Sequence, residues 1–140
     1  MRDFKDSNGL TWTIRVNVNV IEAVKQSLGV DIADLYMETG TRVFSDPVLT
    51  VNVLYVCCQA EAEKRGITDV QFGESMIGDA IENGVMSLMA AVRDFFPTRK
   101  HALMNAQLAK AKQISEAAIT RATAAVESLT PEAYFASQKN

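Results

Sequence analysis

The chain has 140 residues, of which 48% are hydrophobic and 22% charged, a balance typical of one soluble globular domain. Its net charge of −3 argues against generic nucleic-acid binding, and no apolar stretch approaches the roughly 20 residues of a membrane span. The polar first residues predict no secretory signal. Two adjacent cysteines, Cys57 and Cys58, stand in an apolar run and indicate small buried hydrophobes in a reducing compartment.

The N-terminal segment alternates strictly between apolar and polar residues from Thr11 to Val20. This period of two is typical of a half-buried antiparallel strand. Ser7-Asn8-Gly9 precedes it with the residues of a tight turn, so a short β-hairpin is expected. Trp12 on the apolar side is expected to anchor the hairpin in the core. The polar side is expected to leave backbone edges available for pairing with another subunit. The apolar positions are Trp12, Ile14, Val16, Val18 and Val20.

Helical patterns dominate the next part of the chain. A first helix is expected from about Asn19, with Glu22 in a capping box, to a stop at Gly29. A second, short helix is predicted for residues 31–37, closed by Gly40. The run from residue 47 to Gly66 is rich in β-branched residues, yet its length and its apolar character on nearly all sides favour a central helix.

Three further helical segments complete the pattern. One begins after a capping Thr68, and another runs from residue 79 to a stop at Pro97. A long alanine-rich helix then extends from Thr98 to about Leu129, and residues 130–140 are expected to be a flexible tail. The predicted fold is mostly α, an α+β chain in which a short N-terminal β-hairpin precedes a multi-helix bundle with a long C-terminal helix. Residues 1–97 form the predicted core domain, and 98–129 belong to it or form an interaction appendage.

The long C-terminal helix carries only a thin apolar stripe. Its roughly 30 residues span about 45 Å, more than a compact domain of this size needs, so the stripe suits a partner helix or a neighbouring subunit. The alternative is that this segment folds back on its own domain, either whole or broken midway. Residues 98–140 carry six basic and three acidic residues, against eight and fourteen in residues 1–97. This basic excess has two explanations. The segment contacts an acidic partner surface, such as another copy of the chain, or it is a helix whose lysines are simply solvated. The predicted partner-binding residues are Leu103, Met104, Leu108 and Ile114, and we expect this helix to mediate homo-oligomerisation.

No group of residues indicates catalysis, a cofactor or a metal. His101 is the single histidine and stands in a basic segment, which indicates a surface residue rather than part of a catalytic triad. The two cysteines lack further soft ligands for zinc. The carboxylates of residues 69–82 lack the spacing of a calcium loop, and no Gly-Lys-Ser/Thr follows the glycines there. We therefore predict a protein that is not an enzyme.

The order of these segments resembles a known family. Gly9-Leu10-Thr11-Trp12 is similar to the G-x-x-W opening of small proteins encoded among the tail genes of tailed bacteriophages and prophages. The resemblance covers residues 4–105 and continues in the segments Ile14-Arg15-Val16-Asn17-Val18, Leu28-Gly29-Val30-Asp31, Asp46-Pro47-Val48-Leu49, Ile67-Thr68-Asp69 and Asp94-Phe95-Phe96-Pro97.

The resemblance implies a tail assembly chaperone. Such proteins bind the tape-measure protein and help the tail-tube protein to polymerise around it, with no catalysis and no cofactor. It also implies work in the host bacterial cytoplasm, with no membrane, nucleic-acid or small-molecule partner. The alternatives are a structural virion component, such as a minor tail or connector protein, and a small DNA-binding regulator that uses the sparse basic residues of the long helix.

Overall fold

The computed structural model describes residues 2–137 and has a mostly helical fold with an N-terminal antiparallel hairpin. The strands are β1 (Arg2–Lys5) and β2 (Thr11–Ile14). Seven helices follow within the described residues: α1 (Val18–Leu28), α2 (Glu38–Phe44), α3 (Pro47–Arg65), α4 (Asp69–Glu74), α5 (Asp79–Phe95), α6 (His101–Glu127) and α7 (Pro131–Ser137). The predicted fold class, with its short hairpin and long C-terminal helix, is confirmed.

The chain divides into two compact units, Met1–Met104 and Asn105–Asn140. The first unit contains the hairpin, α1 to α5 and the hydrophobic core. This unit includes Met104 at the start of α6, which is buried. In the second unit, none of the residues whose burial is described is buried.

The hairpin turn follows the sequence prediction. Gly9 has a φ of 79°, a left-handed conformation that glycine adopts without steric cost. The strands pair so that Phe4 lies opposite Trp12, and both side chains are buried. The Asp6 carboxylate fixes the turn by accepting hydrogen bonds from the backbone N–H groups of Asn8 and Leu10. The turn and the core position of Trp12 are therefore confirmed.

Both edges of the hairpin are covered by helices, contrary to the expectation that they remain free for another subunit. On the β2 edge, the Glu61 carboxylate accepts the backbone N–H of Thr13 at 3.0 Å. Arg65 donates to the backbone carbonyl of Thr11 at 2.8 Å. On the β1 edge, the Ser87 hydroxyl donates to the carbonyl of Asp3 at 2.8 Å. Side chains of α3 and α5 thus occupy backbone groups with which an added strand would pair.

The strand is shorter than its alternating pattern predicts. It ends at Ile14, and α1 begins at Val18, near Asn19 as predicted. Asn17 is the N-cap, with its side chain accepting the N–H of Val20 at 2.9 Å. This cap starts the helix inside the alternating segment, so Val16, Val18 and Val20 are not strand residues. The predicted stop is confirmed, because Gly29 has a left-handed φ of 66°.

The predicted helix over residues 31–37 is wrong. A 3₁₀ turn covers Ile32–Asp34, and α2 starts afterwards at Glu38. Gly40 does not close a helix but lies inside α2, where a Cβ would clash with the backbone carbonyl of Leu35. Close approach of the backbone, rather than a left-handed conformation, is the reason for a glycine at this position.

The third helix, α3, is the centre of the first unit. The Asp46 side chain caps its start, Pro47 occupies its first turn and Gly66 ends it in a left-handed conformation, as predicted. It packs against α1, α2, α4, α5 and β2. Its buried residues are Thr50, Val53, Leu54, Cys58 and Ala62. Val48, in the first turn of α3, is 69% exposed.

The later helices agree with the pattern, except at the ends of α6. Thr68 forms the capping box of α4 with Gln71, and α5 ends just before Pro97. Thr98 does not cap the long helix, because a 3₁₀ turn over Thr98–Lys100 precedes α6. α6 is continuous from His101 to Glu127, which settles the question of a break. Residues 131–137 form α7 where a flexible tail is predicted, and residues 138–140 lie outside the described part.

Within residues 2–137, no single helix has the length and apolar character needed to cross a membrane. Helices α2 and α3 meet that criterion only when they are taken together, and the chain bends by 106° between them.

Candidate functional site

The exposed apolar face of α6 is the strongest candidate for a functional surface. Residues three and four apart lie on the same side of a helix, so the apolar positions of the second unit form one continuous stripe. Ile114 is 58% exposed, Ile119 62% and Val126 51%. We call this surface the α6 stripe: Leu108, Ala111, Ile114, Ala118, Ile119, Ala122 and Val126. A row of exposed branched side chains along one face of a helix is typical of a protein-binding surface.

The four predicted partner-binding residues fall in two different units. Leu108 and Ile114 belong to the second unit, and Leu108 is half-buried. Leu103 and Met104 belong to the first. Leu103 is 63% exposed, whereas Met104 is 7% exposed and packs in the core. Only Leu103, Leu108 and Ile114 therefore present accessible surface in this structure.

Sequence reasoning missed Ile119 as a member of the stripe. Its position follows from helical geometry, because Ile119 lies about 20° around the helix axis from Leu108 and Val126, which are members of the stripe. The large side chains of Ile119 and Ile114 mark opposite margins of a stripe whose middle consists mainly of alanines, with Ser115 and Gln107 among them. A search of the sequence for a wide apolar face on this helix would have included Ile119, whereas a search for a single row of apolar residues leaves it out.

A cleft of about 580 Å³ lies between the hairpin turn, the end of α3 and α4 in the first unit. Its wall includes Arg65, whose guanidinium carbon stands 4.8 Å from the centroid of the Trp12 ring. Two polar side chains of its lining have partners within the protein: Asp6 accepts three hydrogen bonds, and the Ser75 hydroxyl donates to the carbonyl of Phe72. These bonds give the cleft a structural role in fixing the hairpin.

The potentially reactive side chains are placed for packing. Burial raises the pKa of the Cys57 thiol to about 12, and burial also raises the pKa of Cys58. Both thiols are thus protonated and poorly nucleophilic near neutral pH. A ring nitrogen of His101 lies 2.8 Å from the carbonyl oxygen of Phe96, and the ring is half-buried. Among the described residues, no group of three or more metal-ligating side chains is close enough to hold a metal ion.

The shortest ion pair among the described residues joins Arg2 in β1 to Asp94 in α5. Arg2 donates to Asp94 at 2.9 Å, and this hydrogen bond lowers the pKa of the Asp94 carboxyl. Both side chains remain partly exposed, so the pair is a weak tether of β1 to α5 and not a catalytic arrangement.

Comparisons with models of known protein families, with curated proteins and with solved structures find no match for this chain.

Proposed function

We propose that this protein is a tail assembly chaperone of a tailed bacteriophage or prophage. In this proposal it binds the tape-measure protein in the host bacterial cytoplasm and assists assembly of the tail tube, without catalysis. The resemblance of residues 4–105 to that family suggests the role. The exposed α6 stripe is the one structural observation that supports it, because a chaperone for a long helical client needs accessible apolar surface.

The arrangement of the first unit fits a binding protein. Its core contains Trp12, Phe72 and Leu88 with no exposed surface, and side chains of α3 and α5 occupy the backbone groups at its hairpin edges. Exposed apolar side chains also occur in the first unit, such as Val70 and Ile77, but those of α6 follow one face of a single long helix, which we take as the site for a protein partner. Homo-oligomerisation of the chain stays a prediction.

Co-expression with the tape-measure protein of the same genome tests the proposal. We expect the two proteins to co-purify, and we expect the double variant Ile114→Asp, Ile119→Asp to lose that association. Val48→Asp introduces the same kind of change at a 69% exposed position of the first unit and serves as the matched control. Retention of binding by the double variant would contradict the use of the stripe.

Mass spectrometry of purified virions separates the chaperone from its first alternative. A chaperone is absent from mature particles, whereas a minor tail or connector protein is present in fixed stoichiometry. The DNA-binding alternative predicts a salt-dependent shift of duplex DNA, which the chaperone proposal does not.

A further inference from the structure

The charges around the α6 stripe are sorted by sign. Taking about 100° per residue, Lys112 lies about 90° to one side of the middle of the stripe. Arg121 and Lys110 lie about 90° and 110° to the other side. Glu116 and Glu127 lie more than about 120° away, on the back of the helix. The charged residue nearest to the exposed apolar surface on each side is therefore basic, and Glu116 lies about 40° beyond Lys112.

These three cations have no carboxylate partner within the described residues. No ion pair or hydrogen bond involves the Lys110, Lys112 or Arg121 side chain in that part of the chain. All three residues are exposed. Along the helix, Lys110 and Arg121 are separated by about 16 Å, which is three turns. An apolar stripe with free cations on both margins is complementary to a helix with apolar residues in the middle and carboxylates on both margins.

We propose that the α6 stripe binds an amphipathic helix of another protein whose apolar face is bordered by Asp and Glu. This inference rests on the proposed partner-binding function and specifies the chemistry of the partner. A second copy of α6, which homo-oligomerisation through this helix would supply, is a poorer occupant, because pairing two such helices brings basic margins together. A nucleic acid is also a poor occupant, because three cations over about 16 Å enclose an apolar surface rather than a row of phosphate contacts.

Binding of two designed peptides to the full-length protein tests this proposal. Both peptides are amphipathic helices with the same leucine and alanine face; one has Glu at the bordering positions and the other has Lys. We expect the Glu peptide to bind about tenfold more tightly at low salt, as three exposed ion pairs allow. The difference between the peptides should shrink as the ionic strength rises.

A pair of variants with equal net charge identifies the source of the preference. The triple variant Lys110→Gln, Lys112→Gln, Arg121→Gln removes the basic margins and should lose the preference for the Glu peptide. The triple variant Lys5→Gln, Lys25→Gln, Lys64→Gln removes three exposed cations of the first unit, lowers the net charge equally and should retain most of the preference. Circular dichroism verifies that both variants keep the helix content of the parent protein.

The outcomes distinguish this inference from the proposed function. Equal binding of both peptides, binding of neither peptide, or tighter binding of a 20-base-pair DNA duplex overturns the acidic-helix inference. Co-purification with the tape-measure protein can still succeed in each of those cases, and it fails independently if the proposed function is wrong.

Discussion

The Asp6 carboxylate accepts the indole N–H of Trp12 at 2.9 Å, and this bond joins the hairpin turn to the core. Trp12 is fully buried, and its ring meets the edge of Phe72 with centroids 5.1 Å apart. The same carboxylate also accepts two backbone N–H groups of the turn. One buried acid therefore holds the turn and orients the largest core side chain.

Replacement of Asp6 by Ala should strongly destabilise the first unit. Three donors would lose their acceptor, and we expect a loss of about 2–4 kcal/mol in the free energy of unfolding. Chemical denaturation followed by Trp12 fluorescence measures it. Asp3→Ala is the control in the same hairpin, because it removes one exposed bond from Thr13 and should cost less than about 1 kcal/mol. Equal effects of the two substitutions would refute the central role of Asp6.

Alanine substitutions at two helical glycines should change the stability of the protein in opposite directions. Gly40→Ala places a methyl group against the backbone carbonyl of Leu35, which cannot move independently of the chain, so we expect a loss of about 1–3 kcal/mol. Gly73 lies in α4 with open space around its Cα, so Gly73→Ala should stabilise the protein by about 0.5–1 kcal/mol. Thermal denaturation of both variants tests this. A Gly40→Ala variant as stable as the parent contradicts the packing described for α2.

The side chains on the β2 edge should protect its backbone from solvent. Glu61→Ala removes the acceptor of the Thr13 N–H, so hydrogen exchange at Thr13 should become faster. Glu63→Ala removes only an exposed bond with Gln59 and is the matched control. Exchange at Thr13 that is unchanged in Glu61→Ala, measured by NMR, would show that this edge does not depend on Glu61.

Both cysteines should react slowly in the native protein. Because its pKa is raised to about 12, the Cys57 thiol is almost entirely protonated at pH 8, and the pKa of Cys58 is shifted in the same direction. Modification by a thiol-specific disulfide reagent should be about a thousandfold slower than for a free cysteine with a pKa near 8.5. Unfolding in guanidinium should restore rapid labelling of two thiols per chain. Rapid labelling of the native protein would contradict the raised pKa values of the two thiols.

Strong local signals allowed much of the fold to be predicted from the sequence. Asp46-Pro47 and Gly66 define the ends of α3 because their capping chemistry is local, and the Gly9 turn is predicted for the same reason. The errors arise where two signals compete. Asn17 caps a helix within a segment that alternates like a strand, and the tertiary contact of Gly40 with Leu35 is invisible in the local pattern.

The candidate site was only partly predictable. Helical spacing identifies Leu108 and Ile114, but it also selects Met104, which the core of the first unit buries. Burial depends on which side of the helix meets the rest of the unit, and this depends on tertiary packing. The sorting of cations to the margins of the stripe becomes apparent only when α6 is known to be continuous across residues 105–127.

Hydrogen exchange of α6 with and without the tape-measure protein tests the central claim most directly. The account predicts that backbone amides over residues 108–126 exchange more slowly in the complex, while those of the exposed start of α3 around Val48 are unchanged. A complex in which α6 exchanges as fast as in the free protein, with protection on another surface, would contradict it.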